Sequence, residues 1–148
     1  MQRVKIDLPD IMDFMTELDV RIGDVNYGGH LGNAAVLVLL QEARVRFLAR
    51  DGFSEKDAGG CGLIQADATI QYLSQARHGE SLQVEVKIGQ FDRLGFEMLY
   101  RMRAGKAGRE VARARTGMLF FDYVRGRITR MPKVFRDRVL PPDSPATG

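Results

Sequence analysis

The segment "DVNYGGHLGNAAVLVLLQEARVRFLARDG", residues 24–52, decides how the chain folds. Its second part is rich in Ala and Leu and has no Gly or Pro between Gly32 and Gly52, which predicts an α-helix of about five turns. Residues 34–40 are apolar on every side, so we expect other structure to enclose this helix. Asn33 is placed to act as its N-cap and Gly52 to end it.

Alternating segments flank the helix on both sides. Residues 14–22 place Phe14, Leu18 and Val20 on one face of a strand. Four later runs alternate in the same way and are separated by turn-forming sequences: residues 63–73, 81–88, 95–103 and 110–124. The pattern predicts an α+β fold in which a curved antiparallel five-stranded sheet wraps a long central helix. Residues 131–139 predict a short closing helix, with 1–140 forming a single domain and 141–148 a disordered tail.

Composition excludes several classes of function. The sequence has no signal-peptide pattern and no apolar run long enough to span a bilayer, so we expect a cytoplasmic protein with no membrane partner. One cysteine and two histidines, without ligand spacing, argue against a metal site. A net charge of +3 is too small to indicate binding to nucleic acid.

The segment around residue 30 resembles a family signature. "RIGDVNYGGHLGNAAVLVLLQEARVRFL" is similar to that of hot-dog acyl-CoA thioesterases related to 4-hydroxybenzoyl-CoA thioesterase. In that family an Asp-x-Asp pair ends a strand, and Gly-His-x-x-Asn and a helix with Glu-Ala-Arg follow. The likeness continues through "IQYLSQARHGESLQVEV" and "LFFDYVRGRITRMPKVFRDRV". It implies hydrolysis of an acyl-CoA thioester, with coenzyme A as part of the substrate and no separate cofactor.

A single unit of this fold leaves a sheet edge exposed. Exposed edges are normally paired or covered, so we expect a homodimer or homotetramer. The tunnel for the acyl group would then be lined by residues of more than one subunit.

One position departs from the family pattern. The Asp-x-Asp pair reads Asp24 and Asn26, and the resemblance assigns the catalytic carboxylate to the second of these. An amide neither attacks a thioester nor accepts a proton at neutral pH. Asn26 can still orient a water or donate to the thioester oxygen, whereas a carboxylate at Asp24 suits a role in holding the turn.

The start of the helix supplies further candidates for binding substrate. Free N–H groups at a helix N-terminus, with the positive end of the helix dipole, stabilise a developing oxyanion. We therefore assign Tyr27, Gly28, Gly29 and Asn33 to the substrate and oxyanion site. The glycines are equally consistent with a turn that requires positive φ, and the two interpretations are compatible.

Three residues are candidates for activating water: Glu42, His30 and Asp24, for which holding the turn is the alternative. Glu42 lies on the predicted helix, at a position where the family often has a glutamate, and can act from a neighbouring subunit. An ion pair with Arg46, four residues later, is the alternative. His30 can exchange protons near neutral pH, and its alternative role is that of a hydrogen-bonded brace.

Five arginines are candidates for binding the phosphates of coenzyme A. Two lie on one predicted strand, two on the next, and one in a turn: Arg101, Arg103, Arg113, Arg115 and Arg77. For each strand arginine, an ordinary solvated sheet face is the alternative. The face lacks the interleaved aromatic residues of a nucleic-acid platform.

Two other functions remain open on the same fold. "GDVNYGGH" is also similar to the Gly-Asp-x-Asn-Pro-x-His element of hot-dog enoyl-CoA hydratases, although Tyr27 replaces the proline and an extra residue precedes His30. Alternatively, loss of the carboxylate at Asn26 leaves a non-catalytic acyl-CoA binding protein.

Overall fold

The computed structural model describes residues 1–142 of the 148-residue chain. Within them lie two α-helices, α1 (Asn33–Arg50) and α2 (Lys133–Val139), and a 3-10 turn at Ile22–Asp24. The strands are β1 (Phe14–Asp19), β2 (Gly62–Tyr72), β3 (Ser81–Phe91), β4 (Gly95–Ala104), β5 (Arg109–Asp122) and β6 (Arg127–Ile128). The tail expected at 141–148 lies outside the described residues, apart from its first two prolines.

The strands form one antiparallel sheet in the order β1-β3-β4-β5-β2, and β6 pairs with the end of β5. The predicted α+β class and the wrapped central helix are confirmed, with the two-residue β6 as an addition. The two outer strands of the main order, β1 and β2, are its edges.

A β-bulge at Ala66 interrupts β2. Gln65 pairs with Met118 and Asp67 with Gly117, so Ala66 has no partner of its own. A bulge reverses which face the following side chains occupy. The expectation that residues 64, 66, 68, 70 and 72 share one face is therefore wrong, because residue 64 precedes the reversal.

Helix α1 packs one face against the concave side of the sheet. Its buried residues recur every three or four positions: Val36, Leu39, Leu40, Ala43, Arg44, Phe47 and Leu48. The opposite face is open, and Leu37, Val38 and Val45 are exposed there. The expected enclosure of the helix is thus not achieved within one chain.

Both ends of α1 are set by glycine. Gly32 is the N-cap residue, so the assignment of Asn33 to that position is wrong by one residue. The Gly32 N–H donates to the Asp24 carbonyl oxygen at 2.9 Å, which fixes the angle at which the chain enters the helix. Gly52, with φ of 82°, follows the C-terminus.

Helix α2 closes one end of the structure. Its Phe135 is fully buried, and its ring lies 5.0–5.4 Å from the rings of Phe53, Phe96 and Phe120. This aromatic cluster joins α2, the loop after α1 and the sheet.

Residues 1–13 cross the outer face of the sheet. The main chain at Ile6 donates to Gln71 Oε1 at 3.0 Å and accepts from Arg113 Nη1 at 3.1 Å. The Pro9 carbonyl accepts from Arg101 Nη2 at 3.0 Å. Part of that face is therefore covered. No helix within residues 1–142 is long and apolar enough to cross a bilayer.

Candidate active site

Asp24 holds the turn that leads into α1. Its buried carboxylate accepts the Arg21 backbone N–H at 2.9 Å and both arms of the Arg21 guanidinium at 3.2 Å. These hydrogen bonds lower the pKa of Asp24 below its ordinary value. The carboxylate is ionised, and both of its oxygens already accept hydrogen bonds from Arg21, which matches the structural role expected for it.

Asn26 folds its side chain onto its own turn. The amide Oδ1 accepts the N–H groups of Gly28 at 3.0 Å and His30 at 3.3 Å. The Asn26 backbone also exchanges hydrogen bonds with this turn, donating to the His30 carbonyl at 2.8 Å and accepting from Gly29 at 2.9 Å. With Oδ1 committed, the exposed Nδ2 group is the part of this side chain available to a ligand.

The glycines of this turn are required for its conformation. Gly29 has a φ of 81°, which disfavours any residue with a side chain. At Gly28 a Cβ would lie 3.2 Å from Asn26 Oδ1 and 3.8 Å from His30 Nδ1, so this glycine keeps space between the two side chains. The positive-φ interpretation therefore holds for Gly29 and not for Gly28, and it leaves the site interpretation open.

The N-terminus of α1 lies beside this turn. Its N-cap, Gly32, offers no side-chain acceptor, so the first N–H groups of the helix have no capping side chain. The Asn33 carbonyl accepts the Tyr72 hydroxyl at 3.0 Å, which joins the helix start to the end of β2. The positive end of the helix dipole is thus open to a ligand.

A cleft of 290 Å³ opens at this helix mouth. Its polar lining includes Asn26, His30, Asn33 and Tyr72, whereas apolar side chains form the other walls: Leu31, Val36, Leu73, Ala76 and Val111. Apolar walls with a few convergent polar groups are typical of a small-molecule site. The structure therefore brings three of the predicted residues together with Tyr72, which was not among the predicted site residues.

Two other predicted residues lie at the rim of the turn. Tyr27 is fully exposed and does not line the cleft. Arg77 is brought beside His30 by a backbone bridge between the two residues, and its side chain is exposed. Arg77 is thus the predicted phosphate ligand that lies near the cleft.

Glu42 lies apart from the cleft in the same chain. Its carboxylate pairs with Arg46 Nε at 3.0 Å, and Arg46 also donates to Thr16 and to the Glu17 carbonyl on β1. Glu42 lines a separate groove of 550 Å³ that also contains Arg21. The structure therefore contains the ion pair that was the alternative role and does not place Glu42 beside Asn26.

A buried polar network between α1 and the sheet was not predicted. Arg44, 4% exposed, donates to Glu55 at 2.6 Å, to Gln65 at 3.2 Å and to the Tyr100 hydroxyl at 3.1 Å. Tyr100 in turn bonds Thr116 at 3.0 Å. The sequence does contain one indication of this network: Arg44 follows Leu40 by four residues, so it lies on the apolar stripe of α1. The network runs from the core to the β2 edge, where Gln65 is exposed.

The predicted strand arginines are bound to carboxylates on the outer face of the sheet. We call Arg101, Arg103, Arg113 and Arg115 the sheet-face arginines. Their partners are Glu85 and Glu110 for Arg101, Glu85 for Arg103, Glu110 for Arg113, and Glu97 and Asp67 for Arg115. Arg101 is only 4% exposed beneath Pro9, so it is not available to a phosphate group. This arrangement matches the ordinary sheet face given as the alternative.

No group of three or more His, Cys, Asp or Glu side chains within residues 1–142 is placed to hold a metal ion. Burial, aided by Asp122 and Asp57, raises the pKa of the Cys61 thiol. A thiol in such surroundings is a weak nucleophile.

Comparison with known proteins places the chain among thioesterase folds. Residues 20–139 match the family model described as the thioesterase-like superfamily. No curated protein sequence matches the chain.

Three solved structures illustrate the likeness of fold. A 1,4-dihydroxy-2-naphthoyl-CoA thioesterase from Synechocystis has a TM-score of 0.79 and 21% identity, over 89% of this chain and 98% of its own. A Thermus thermophilus thioesterase in complex with coenzyme A and Zn gives 0.77 and 23%, over 88% and 99%. A Staphylococcus aureus protein in complex with coenzyme A gives 0.78 and 17%, over 90% and 85%.

Proposed function

The chain belongs to the thioesterase-like superfamily, and from this premise we propose that it hydrolyses an acyl-CoA thioester to the free acid and coenzyme A. The observation that carries the proposal is the uncapped N-terminus of α1, which opens beside the Asn26 amide in a cleft with apolar walls. Three neighbours of the same fold support the choice of substrate class: one is named a 1,4-dihydroxy-2-naphthoyl-CoA thioesterase, and the other two are complexes with coenzyme A.

The cleft offers donors for the carbonyl oxygen of the thioester. In the proposed mechanism, this oxygen accepts hydrogen bonds from the first N–H groups of α1 and from Asn26 Nδ2. Negative charge develops on it as water attacks, and donors already in place stabilise that charge more than the ground state. Asn26 therefore acts as a carbonyl ligand, and Gly28, Gly29 and His30 keep it in position.

A second copy of the chain completes the site in this proposal. The β2 edge is open, and residues 65–68 are exposed along it. The exposed apolar side chains of α1, Leu37, Val38 and Val45, give a second reason to expect a homodimer or homotetramer. Antiparallel pairing of two β2 edges about residues 65–68 brings Tyr72 of one copy beside Gly62 of the partner subunit.

The water is activated by a carboxylate from the partner subunit. We assign this role to Glu42, which borders the groove on the other side of the Arg21–Asp24 turn. Glu55 offers a matched comparison, because it lies next to β2, where its carbonyl accepts the Leu63 N–H at 2.7 Å. Glu42→Gln should lower kcat by about 100-fold, in the range typical of a lost general base. Unchanged turnover in Glu42→Gln with loss in a folded Glu55→Gln would move the role to Glu55.

The reaction itself is tested by thiol release from a panel of saturated and aromatic acyl-CoA thioesters. Turnover of any of them supports the proposal. Hydration of an unsaturated acyl-CoA without thiol release would instead identify a hydratase.

A non-catalytic acyl-CoA binding protein is the second candidate. It is favoured by the Asn26 side-chain oxygen, which is committed to the turn and performs no carboxylate chemistry. Tight binding of coenzyme A with neither reaction would establish this function and contradict hydrolysis.

A further inference from the structure

The segment between β2 and β3 forms one side of the cleft at the helix mouth. We call residues 73–80 the cleft wall, and its first part lines the cleft through Leu73, Ser74, Gln75 and Ala76. The wall lies outside the helices and strands, apart from an isolated backbone bridge at Arg77. Its position therefore depends on hydrogen bonds to other parts of the chain.

The cleft wall also supports the turn that carries Asn26. The Ala76 carbonyl accepts the Leu31 N–H at 2.8 Å, and the bridge at Arg77 joins the wall to His30. The His30 carbonyl accepts the Asn26 N–H at 2.8 Å, and the His30 N–H donates to Asn26 Oδ1 at 3.3 Å. A shift of the wall would therefore change both the width of the cleft and the placement of the amide.

Arg109, the first residue of β5, fastens the two ends of the cleft wall to each other. Its Nη2 atom donates to the Gln75 carbonyl at 2.7 Å and to Glu80 Oε1 at 2.8 Å. The same Glu80 oxygen accepts the Arg77 N–H at 2.8 Å, so the carboxylate binds the wall from within as well. We call the contacts of Arg109 with Gln75 and Glu80 the Arg109 latch.

The Arg109 latch acts locally. The hydrogen bond from Arg109, together with that from the Arg77 N–H, lowers the pKa of Glu80 below its ordinary value, so the carboxylate is ionised at neutral pH. The side chains of Arg109 and Glu80 are 44% and 24% exposed. An ion pair this open to solvent adds little to the stability of the whole fold. Its main effect is therefore on where the cleft wall lies.

We propose that Arg109 is a positioning residue that sets the width of the cleft and so determines which acyl groups the site accepts. Leu73 and Ala76 on the wall and Val36 on α1 all line the cleft, so the latch fixes the space between them. An acyl group too wide for this space must displace the wall and open the latch. The assignment rests on the proposed hydrolysis of acyl-CoA and identifies the part of that site that selects the acyl group.

A substrate series tests the proposal: acetyl-, hexanoyl-, dodecanoyl- and benzoyl-CoA. The measured quantity is the ratio of kcat/KM between the best and the poorest of these thioesters. Arg109→Ala should reduce this ratio about tenfold, since fit in an apolar pocket supplies discrimination of that order. Arg109→Lys keeps a cation that can reach the wall and should restore most of the ratio. Arg50→Ala, which removes an arginine 41% exposed and paired with Asp51 at 3.2 Å, is the matched control and should leave the ratio unchanged.

The assignment is overturned if Arg109→Ala leaves the ratio unchanged or alters it no more than Arg50→Ala does. Wild-type protein that cleaves all four thioesters equally well would also overturn it, because the latch would then select nothing.

Hydrogen exchange tests the latch without activity. If wild-type protein cleaves no thioester, the proposed reaction fails, and amide exchange of residues 24–33 then decides whether the latch positions this turn. Exchange there should be at least about tenfold faster in Arg109→Ala than in wild type or Arg50→Ala, because the Leu31 N–H loses a fixed acceptor. Unchanged exchange in Arg109→Ala would contradict the proposal.

Discussion

The sheet-face arginines and two arginines that follow β5, Arg127 and Arg130, have the same type of side chain in opposite situations. On the sheet, each arginine meets a glutamate or aspartate of its own or a neighbouring strand at 2.6–3.7 Å. In the segment after β5, Arg127 and Arg130 have no such partner within the described chain. The difference shows that a basic surface is available to a ligand only where the fold has not already neutralised it.

The largest expected effect on stability comes from removing Arg101, which lies buried between Glu85 and Glu110. Arg101→Ala should lower the free energy of unfolding by about 3 kcal/mol, because it leaves carboxylates in a poorly solvated place. Arg127→Ala should change it by less than about 0.5 kcal/mol, as for an ordinary surface position. Urea unfolding monitored by circular dichroism measures both. Equal losses would show that the two regions do not differ.

Asn26 shows the same difference within one side chain. Its Oδ1 atom accepts hydrogen bonds from Gly28 and His30, whereas its Nδ2 group is available to a ligand. Asn26→Ala should lower kcat roughly tenfold or more, since it removes both the brace and the carbonyl donor. Asn26→Asp keeps the acceptor for Gly28 and His30 and supplies the carboxylate of the family pattern. Steady-state thiol release should show kept or raised activity for this variant. Complete loss would mean that the amide donor is essential.

The smallest expected effect is a pH dependence of stability on the sheet face. Hydrogen bonds from Arg113 lower the pKa of Glu110, so its stabilising contribution is present above its ordinary pKa of 4.5 and is lost as pH falls through the lower folded value. Wild-type Tm should therefore fall more steeply than that of Glu110→Gln below about pH 5. Asp10→Asn, at an exposed residue, is the control. Parallel curves for wild type and Glu110→Gln would refute the coupling.

The fold and the helix mouth could be predicted because they depend on local patterns. The apolar stripe of α1 and the alternating strands define the architecture, and Gly28, Gly29 and Gly32 indicate a turn into a helix. The bulge at Ala66 left no signal of its own, so Ile64 was assigned to the face of the residues that follow the bulge. Contacts between strands could not be predicted either. The pairing of Arg101 with Glu85, for example, depends on a strand register that a linear sequence does not specify.

Tyr72 illustrates the same limit at the site. In the sequence it is an ordinary strand residue, and its role depends on a distant neighbour, because its hydroxyl donates to the Asn33 carbonyl. The sequence did place Asn26, His30 and Asn33 together, since they share one turn. Glu42 follows the start of α1 by more than two helical turns and lies in a separate groove, so the turn does not bring it to them.

A mixed dimer tests the shared site most directly. One copy would carry Asn26→Ala and the other Glu42→Gln, with two different tags used to purify the heterodimer. If Glu42 serves the cleft of the opposite subunit, one complete site remains, and thiol release should show about half the wild-type kcat per dimer. A kcat as low as that of the Glu42→Gln homodimer would contradict this account, because the intact cleft would then depend on Glu42 of its own chain.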